Sequence, residues 1–195
     1  MLQLLRKCAP IFLQIVFSDP TLWPEGHSLT AVSVAHILAS ERHELSHSIH
    51  QDAFYTMAYA VSPTLEYDTT CPPFKRDVHA IGWIPAELHI ALIEINARRV
   101  LGYVAPDWQC IERRILSWQP HLDDSTNDAS QHISWLAEQE SWRQTLLAYL
   151  YMVRHFILPC QCFKSKCMLW LGSLWGSVRR SSGCVSCAAD FSAPE

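Results

Sequence analysis

Apolar positions recur at helical spacing along the chain as far as Val153, and prolines divide the pattern into segments. No stretch shows the period-two alternation of a half-buried strand, and no segment repeats. The run "LQLLRKCAPIFLQIVF" predicts a first helix over much of 2–17, ending before "SDPTLWPEG". Ser28 is placed to cap a second, long helical stretch of about 28–61. Ser62-Pro63 closes it, because the residue before a proline is pushed out of the helical region. Residues 64–85 then read as an irregular crossing broken by prolines and a glycine.

Pro85 opens a third helix, 86–101, in which Leu88, Ala91, Leu92 and Ile95 form an apolar stripe that ends in the aliphatic stem of Arg99. Glu94 and Arg98 fall one turn apart on the other side, a spacing worth about 0.2–0.5 kcal/mol. Pro106 opens a fourth helix, 106–118, with Trp108, Ile111, Ile115 and Trp118 on one face, and Pro120 stops it. After a polar loop, 119–131, the fifth helix spans 132–153. Its Trp135, Gln139, Trp142, Leu146, Tyr149 and Val153 follow steps of four and three. The second half of that helix is apolar nearly all round, which predicts a central position in the packing.

These elements define an all-α, irregular multi-helix array. A helical body, 1–158, is followed by a segment, 159–195, in which cysteines, glycines, serines and tryptophans mix without period. That segment is expected to be a poorly ordered tail and the body an incomplete domain.

Composition adds limits. Of 195 residues, 49% are hydrophobic and 17% charged, enough apolar material for one domain with a core. The net charge of −4 supplies no basic footprint, so direct DNA binding is not expected. No run approaches the ~20 apolar residues of a membrane-spanning helix. Arg6-Lys7 before "CAPIFLQIVF" imitates a secretion signal, but Pro10 and Gln14 interrupt the run and no small-residue cleavage site follows. Three scattered cysteines in the body, Cys8, Cys71 and Cys110, fit a reduced, intracellular setting.

One motif invites a chemical reading. His43-Glu44-Leu45-Ser46-His47 has the H-E-x-x-H form, in which two imidazoles one turn apart share a zinc ion and the glutamate serves as general base. With 10 histidines in the chain, shuffling alone produces the pattern in roughly two or three sequences per hundred. On one continuous helix, Leu38, Leu45 and Ile49 form the apolar side. His36, His43, His47 and His50 then lie opposite, toward water. The third ligand is missing from the expected places: His50 and Ala53 stand where a metzincin has glycine and histidine. Glu66 follows a proline in a non-helical segment. The motif is therefore read as a solvated helix face, with a zinc-dependent hydrolase kept as the alternative.

Other constellations are weaker. Cys184 and Cys187, with Cys162 and Cys167, only loosely match a zinc ribbon, and no apolar scaffold surrounds them. Asp123, Asp124 and Asp128 lack the spacing of a calcium loop. There is no G-x-S-x-G and no phosphate-binding glycine loop. Trp108, Trp118, Trp135 and Trp142 sit in helix stripes, where core packing is the default.

Three segments together carry a family likeness. "SVAHILASERHEL" (33–45) is a helix with a Ser-Glu-Arg step. "SHSIHQDAFYTMAYAVSPTLEYDTT" (46–70) has an Asp near mid-helix and a Tyr-Asp after the proline break. "EQESWRQTLLAYLYM" (138–152) runs from Glu-x-Trp-Arg into a tyrosine-rich apolar helix. Over roughly residues 9–153 the chain resembles the fungal-specific transcription factor domain, the regulatory domain that lies C-terminal to a zinc binuclear cluster. The resemblance implies an all-α regulatory domain in the nucleus that controls RNA polymerase II transcription and is not an enzyme. Zinc and DNA would be held only by the separate six-cysteine cluster, which has no counterpart here: Cys8 is the one cysteine among the first 70 residues. The helical continuation usual in the family is also missing after Val153, as in a truncated product or a gene model that leaves its reading frame; a non-functional product is kept as an alternative.

The expectation is thus a regulatory domain with no catalytic, cofactor-binding or metal-binding residues of its own. It would act through protein partners or intramolecular contacts and be prone to self-association. Unpartnered apolar faces on 86–101 and 132–153 would drive that association.

Overall fold

In the computed structural model the described residues are 2–23, 31–70, 84–101, 107–120 and 129–155. The architecture is all-α. Among the described residues six helices follow one another: α1 Leu2–Ser18, α2 Val34–Ala39, α3 His43–Tyr59, α4 Ala86–Leu101, α5 Trp108–Ser117 and α6 Ala129–His155. A single 3₁₀ turn, Pro20–Leu22, follows α1. Two two-residue strands, β1 Val32–Ser33 and β2 Tyr67–Asp68, pair in parallel.

The helix expected over 28–61 is two helices. Ser40 is extended (φ −79°, ψ 155°), and both its amide and its hydroxyl donate to the Ile37 carbonyl, at 3.1 and 2.7 Å. Ser46 adds a third donation to the same oxygen at 3.1 Å. Serine hydroxyls compete here with the helix ladder and end it. Leu38, Leu45 and Ile49 are buried as their spacing requires, and Ile37, off that stripe, is buried as well. Ser28 lies outside the described residues.

α3 ends at Ala60, whose backbone is left-handed (φ 52°, ψ 33°). This is the usual way to stop a helix, adopted here without glycine. The reversed chain is fastened to α3 by Asp52, which accepts from the Thr64 amide at 3.1 Å and from the Tyr67 hydroxyl at 2.8 Å. Tyr67 then brings β2 beside β1, where the Val32 amide donates to Glu66 O at 2.9 Å. From α4, Arg99 donates to the Thr56 and Val61 carbonyls, at 3.0 and 2.6 Å. A cation among the last carbonyls of a helix is favourably placed.

α4 is the central element and packs against α2, α3, α5 and α6. Every residue from Leu88 to Asn96 is buried. The expected amphipathic stripe is therefore only part of its contact surface, and its apolar face is not left without partners. Glu94, assigned from sequence to an open side, is enclosed and pairs with Arg114 of α5. Arg98 lies 5.6 Å over the Trp108 ring.

α5 and α6 follow their expected stripes. Ile111, Ile115 and Trp118 are buried, as are Gln139, Leu146, Tyr149 and Val153. A buried polar chain ties three helices together: the Tyr149 hydroxyl donates to Asn96 Oδ1 at 2.7 Å, and Asn96 Nδ2 donates to Ala53 O at 2.9 Å. Satisfied networks of this kind fix one relative placement of their helices. Large apolar side chains do reach solvent elsewhere: Leu4 and Ile11 on α1 (58% and 60% exposed), Leu116 on α5 and Ile133 on α6. The segment 159–195 lies outside the described residues.

Candidate functional site

α3 carries three histidines within eight residues, and the structure divides them. His43, Glu44 and His47 are exposed on its first two turns. Glu44 comes within 3.9 Å of Arg42. His47 Nε2 lies 2.8 Å from Gln51 Nε2. An amide nitrogen only donates, so this contact occupies the imidazole lone pair that a metal would need. Glu66 is exposed in the segment after the break. Among the described residues no group of three or more histidine, cysteine, aspartate or glutamate side chains is disposed to hold a metal ion. The H-E-x-x-H residues form a solvated ridge, and no third ligand joins them.

His50, one turn further, is not on that ridge. The expectation that it faces water with His43 and His47 fails, because α4 packs over this part of α3 and covers the ring. Its ring packs on Phe54 at 4.7 Å and meets His89 of α4 edge-on, with ring centroids 5.1 Å apart and planes at 75°. Phe54 in turn stands edge-on to Trp142 of α6 at 5.4 Å. Two imidazoles thus sit in an aromatic junction of three helices. His89 is 2% exposed. His50 Nδ1 and His89 Nε2 are enclosed and have no hydrogen-bond partner among the described residues.

Burial explains their electrostatics. Removal from water disfavours the imidazolium, and the neighbouring imidazole adds to the effect. His50 is pushed down to about 4, by burial first and His47 second. His89 is pushed down to about 3, by burial first and His50 second. Both rings are neutral at pH 7. Among the described residues no carboxylate acts on either ring, so they do not form a charge relay.

A second feature lies at the start of α3. A groove of ≈ 340 Å³ is lined by Gln14, Ile15, Ser18, Asp19, Pro20 and Arg42. Asp19 and Arg42 form an ion pair at 3.2 Å. Hydrogen bonds from Thr21, more than Arg42, hold the Asp19 carboxyl below its ordinary range. The Ser18 hydroxyl on its wall donates to Gln14 O at 2.6 Å.

The cysteine pairs at 162–187 and the acidic residues Asp123, Asp124 and Asp128 lie outside the described residues, as does Cys71. Cys8 and Cys110 are free and exposed. His89 does not stand out by pattern in the sequence, and its one signal is the apolar run Ile90-Ala91-Leu92-Ile93 that follows it directly. No helix among the described residues is long and apolar enough to cross a membrane. The chain matches no protein-family model, no curated protein and no solved structure.

Proposed function

We propose that the chain is a helical regulatory and interaction domain similar to the fungal-specific transcription factor domain. In this reading it acts in the nucleus on RNA polymerase II transcription, by contact with other proteins or with other parts of its own polypeptide. It has no catalytic role, holds no zinc of its own and does not touch DNA directly.

The observation that carries the reading is the bond between Asp52 and Tyr67, at 2.8 Å. These are two of the residues on which the family likeness rests: the Asp near mid-helix and the Tyr after the proline break. Their contact gives a physical reason for that pairing of residue types, since a half-buried phenol gains from an acceptor held against it by a buried carboxylate. The third segment of the likeness joins the same unit through Tyr149, Asn96 and the Ala53 carbonyl. A net charge of −4 is compatible with protein contacts and offers nothing to a phosphate backbone. The exposed Leu4, Ile11, Leu116 and Ile133 supply apolar contact area for a protein partner or a second copy.

The test is a fusion of the full chain to an unrelated DNA-binding domain, assayed on a reporter with the cognate operator in a fungal host. The expected result is a change in reporter output that is lost when Asp52→Ala releases the β2 segment. A folded fusion, retained at the operator, that leaves output unchanged overturns the reading. Metal analysis separates the hydrolase alternative: stoichiometric zinc lost with His43→Ala, and hydrolysis lost with Glu44→Gln, would establish it.

A further inference from the structure

The geometry points to an acid-triggered latch at the junction of α3, α4 and α6: protonation of the His50–His89 pair parts α3 from α4 and uncovers the aromatic face formed with Trp142. The inference does not depend on the partner or activity of the domain.

Three observations support it. The two rings are in direct edge-to-face contact at 5.1 Å, so one imidazolium and its neighbour share a single apolar space. Each ring has an enclosed nitrogen without a partner among the described residues, His50 Nδ1 and His89 Nε2. A proton added there gains no acceptor, and a buried, unpaired charge is costly. The walls are aromatic and aliphatic: Phe54, Trp142, Ile90 and Ile93 surround the pair or flank it in sequence.

The ionisable groups on the surrounding elements do not relieve that cost. On α3, His47 lies one turn before His50 and opposes its protonation. On α4, Glu94 is paired with Arg114 of α5. On α2, His36 is bonded to Ser33 at 2.8 Å. On α6, half-buried Glu138 stands one turn before Trp142, and His132 lies nearer the helix start.

The sign follows from linkage. The unfolded chain binds protons at its histidines from about pH 6.5 downward, whereas the folded pair resists them until about 4 and 3. Between those limits the unfolded or opened state binds more protons, so stability is complete above pH 6.5 and is lost as the pH falls. Each uncompensated proton shifts the folding equilibrium up to about tenfold per pH unit. Glu138 works the other way: burial holds it above the usual carboxylate range, so the folded state takes its proton more readily.

The experiment is guanidinium unfolding of the full chain from pH 7.5 to 4.5, with near-ultraviolet circular dichroism and binding of a hydrophobic dye at each pH. Wild type is expected to lose at least tenfold in folding equilibrium per unit below pH 6, with dye binding rising in step. The double variant His50→Phe/His89→Leu is expected to flatten that slope, and His43→Gln/His47→Gln to keep it. If the first double variant does not fold, His89→Gln and the ring signals of wild-type histidines by NMR decide. Two rings that stay neutral to below pH 5 until the fold opens support the latch. A flat wild-type profile, an unchanged slope in His89→Gln, or two buried rings that titrate near 6.5 in the folded chain would overturn it.

Discussion

His47 and His50 stand three residues apart on α3 and occupy opposite surroundings. His47, half of a recognisable metalloprotease pattern, is exposed and hydrogen-bonded to Gln51. His50 belongs to no pattern, yet it meets His89 inside a three-helix junction. A motif describes spacing along one element. The chemistry of a histidine is set by what the rest of the fold brings against it. At the start of α3 none of the described residues completes a metal site. One turn later it brings a second imidazole and excludes water from both.

The sharpest way to break this comparison is to place a charge at each position. His89→Asp puts an unpaired carboxylate into an apolar junction and is expected to cost about 3–5 kcal/mol, or to drive the residue to its neutral form. His47→Asp, on the exposed ridge, is expected to change stability by about 0.5 kcal/mol or less. Guanidinium denaturation at pH 7.5 measures both. Equal losses at the two positions would mean that the ridge is buried in the working molecule or that the junction is wet.

The carboxylates of α3 are sorted in the same way, which gives a second, smaller test. Asp52 is buried and holds the Thr64 amide and the Tyr67 hydroxyl, while Glu44 is exposed. The Tyr67 phenol is pushed well above its ordinary range, by burial first and the Asp52 charge second, so its hydroxyl remains a donor. Asp52→Ala strands that hydroxyl and the amide, at about 2–3 kcal/mol. Tyr67→Phe removes the donor but leaves Asp52 its amide contact, and is expected to cost about 1 kcal/mol. Glu44→Ala should fall within about 0.5 kcal/mol. Thermal unfolding of the three variants ranks them. Asp52→Ala ranking with Glu44→Ala would show that the β2 segment is not fastened through the carboxylate.

The same division explains what could be read from the chain. α4 and α5 were legible because prolines open them and an apolar stripe runs along each, α6 because its apolar steps of four and three follow a polar loop, and α1 from its apolar run alone. Leu88, Leu92 and Ile95, and Leu146, Tyr149 and Val153, are buried as their spacing requires. The break at Ser40 was not legible, because "LASERHEL" contains no glycine or proline. Only the convergence of three serine donations on the Ile37 carbonyl, two from Ser40 and one from Ser46, reveals it. The place of His50 was hidden for a different reason: it shares the side of α3 that carries His43 and His47, and only the approach of α4, whose His89 lies against its ring, encloses it. The Glu94 contact was hidden for another reason: its partner, Arg114, belongs to a different helix, and periodicity within α4 contains no information about α5.

The smallest expected effect is at the motif itself, and it bears on the comparison from the other side. Two imidazoles one turn apart supply two ligands, whereas a zinc site needs three or four to bind tightly. Here one of the two is also engaged by Gln51. A ligand that binds only the folded state raises its stability by RT ln(1 + [L]/Kd), so a weak two-ligand contact at equimolar zinc contributes almost nothing. Equimolar zinc is therefore expected to leave the unfolding midpoint unchanged. The variant His43→Gln/His47→Gln should differ from wild type by about 0.5 kcal/mol or less with or without the metal. If zinc raises the midpoint of wild type and not of the variant, a third ligand reaches the ridge. Such a ligand would have to come from a residue beyond the described helices or from a second copy, and the ridge would then be a site in its own right.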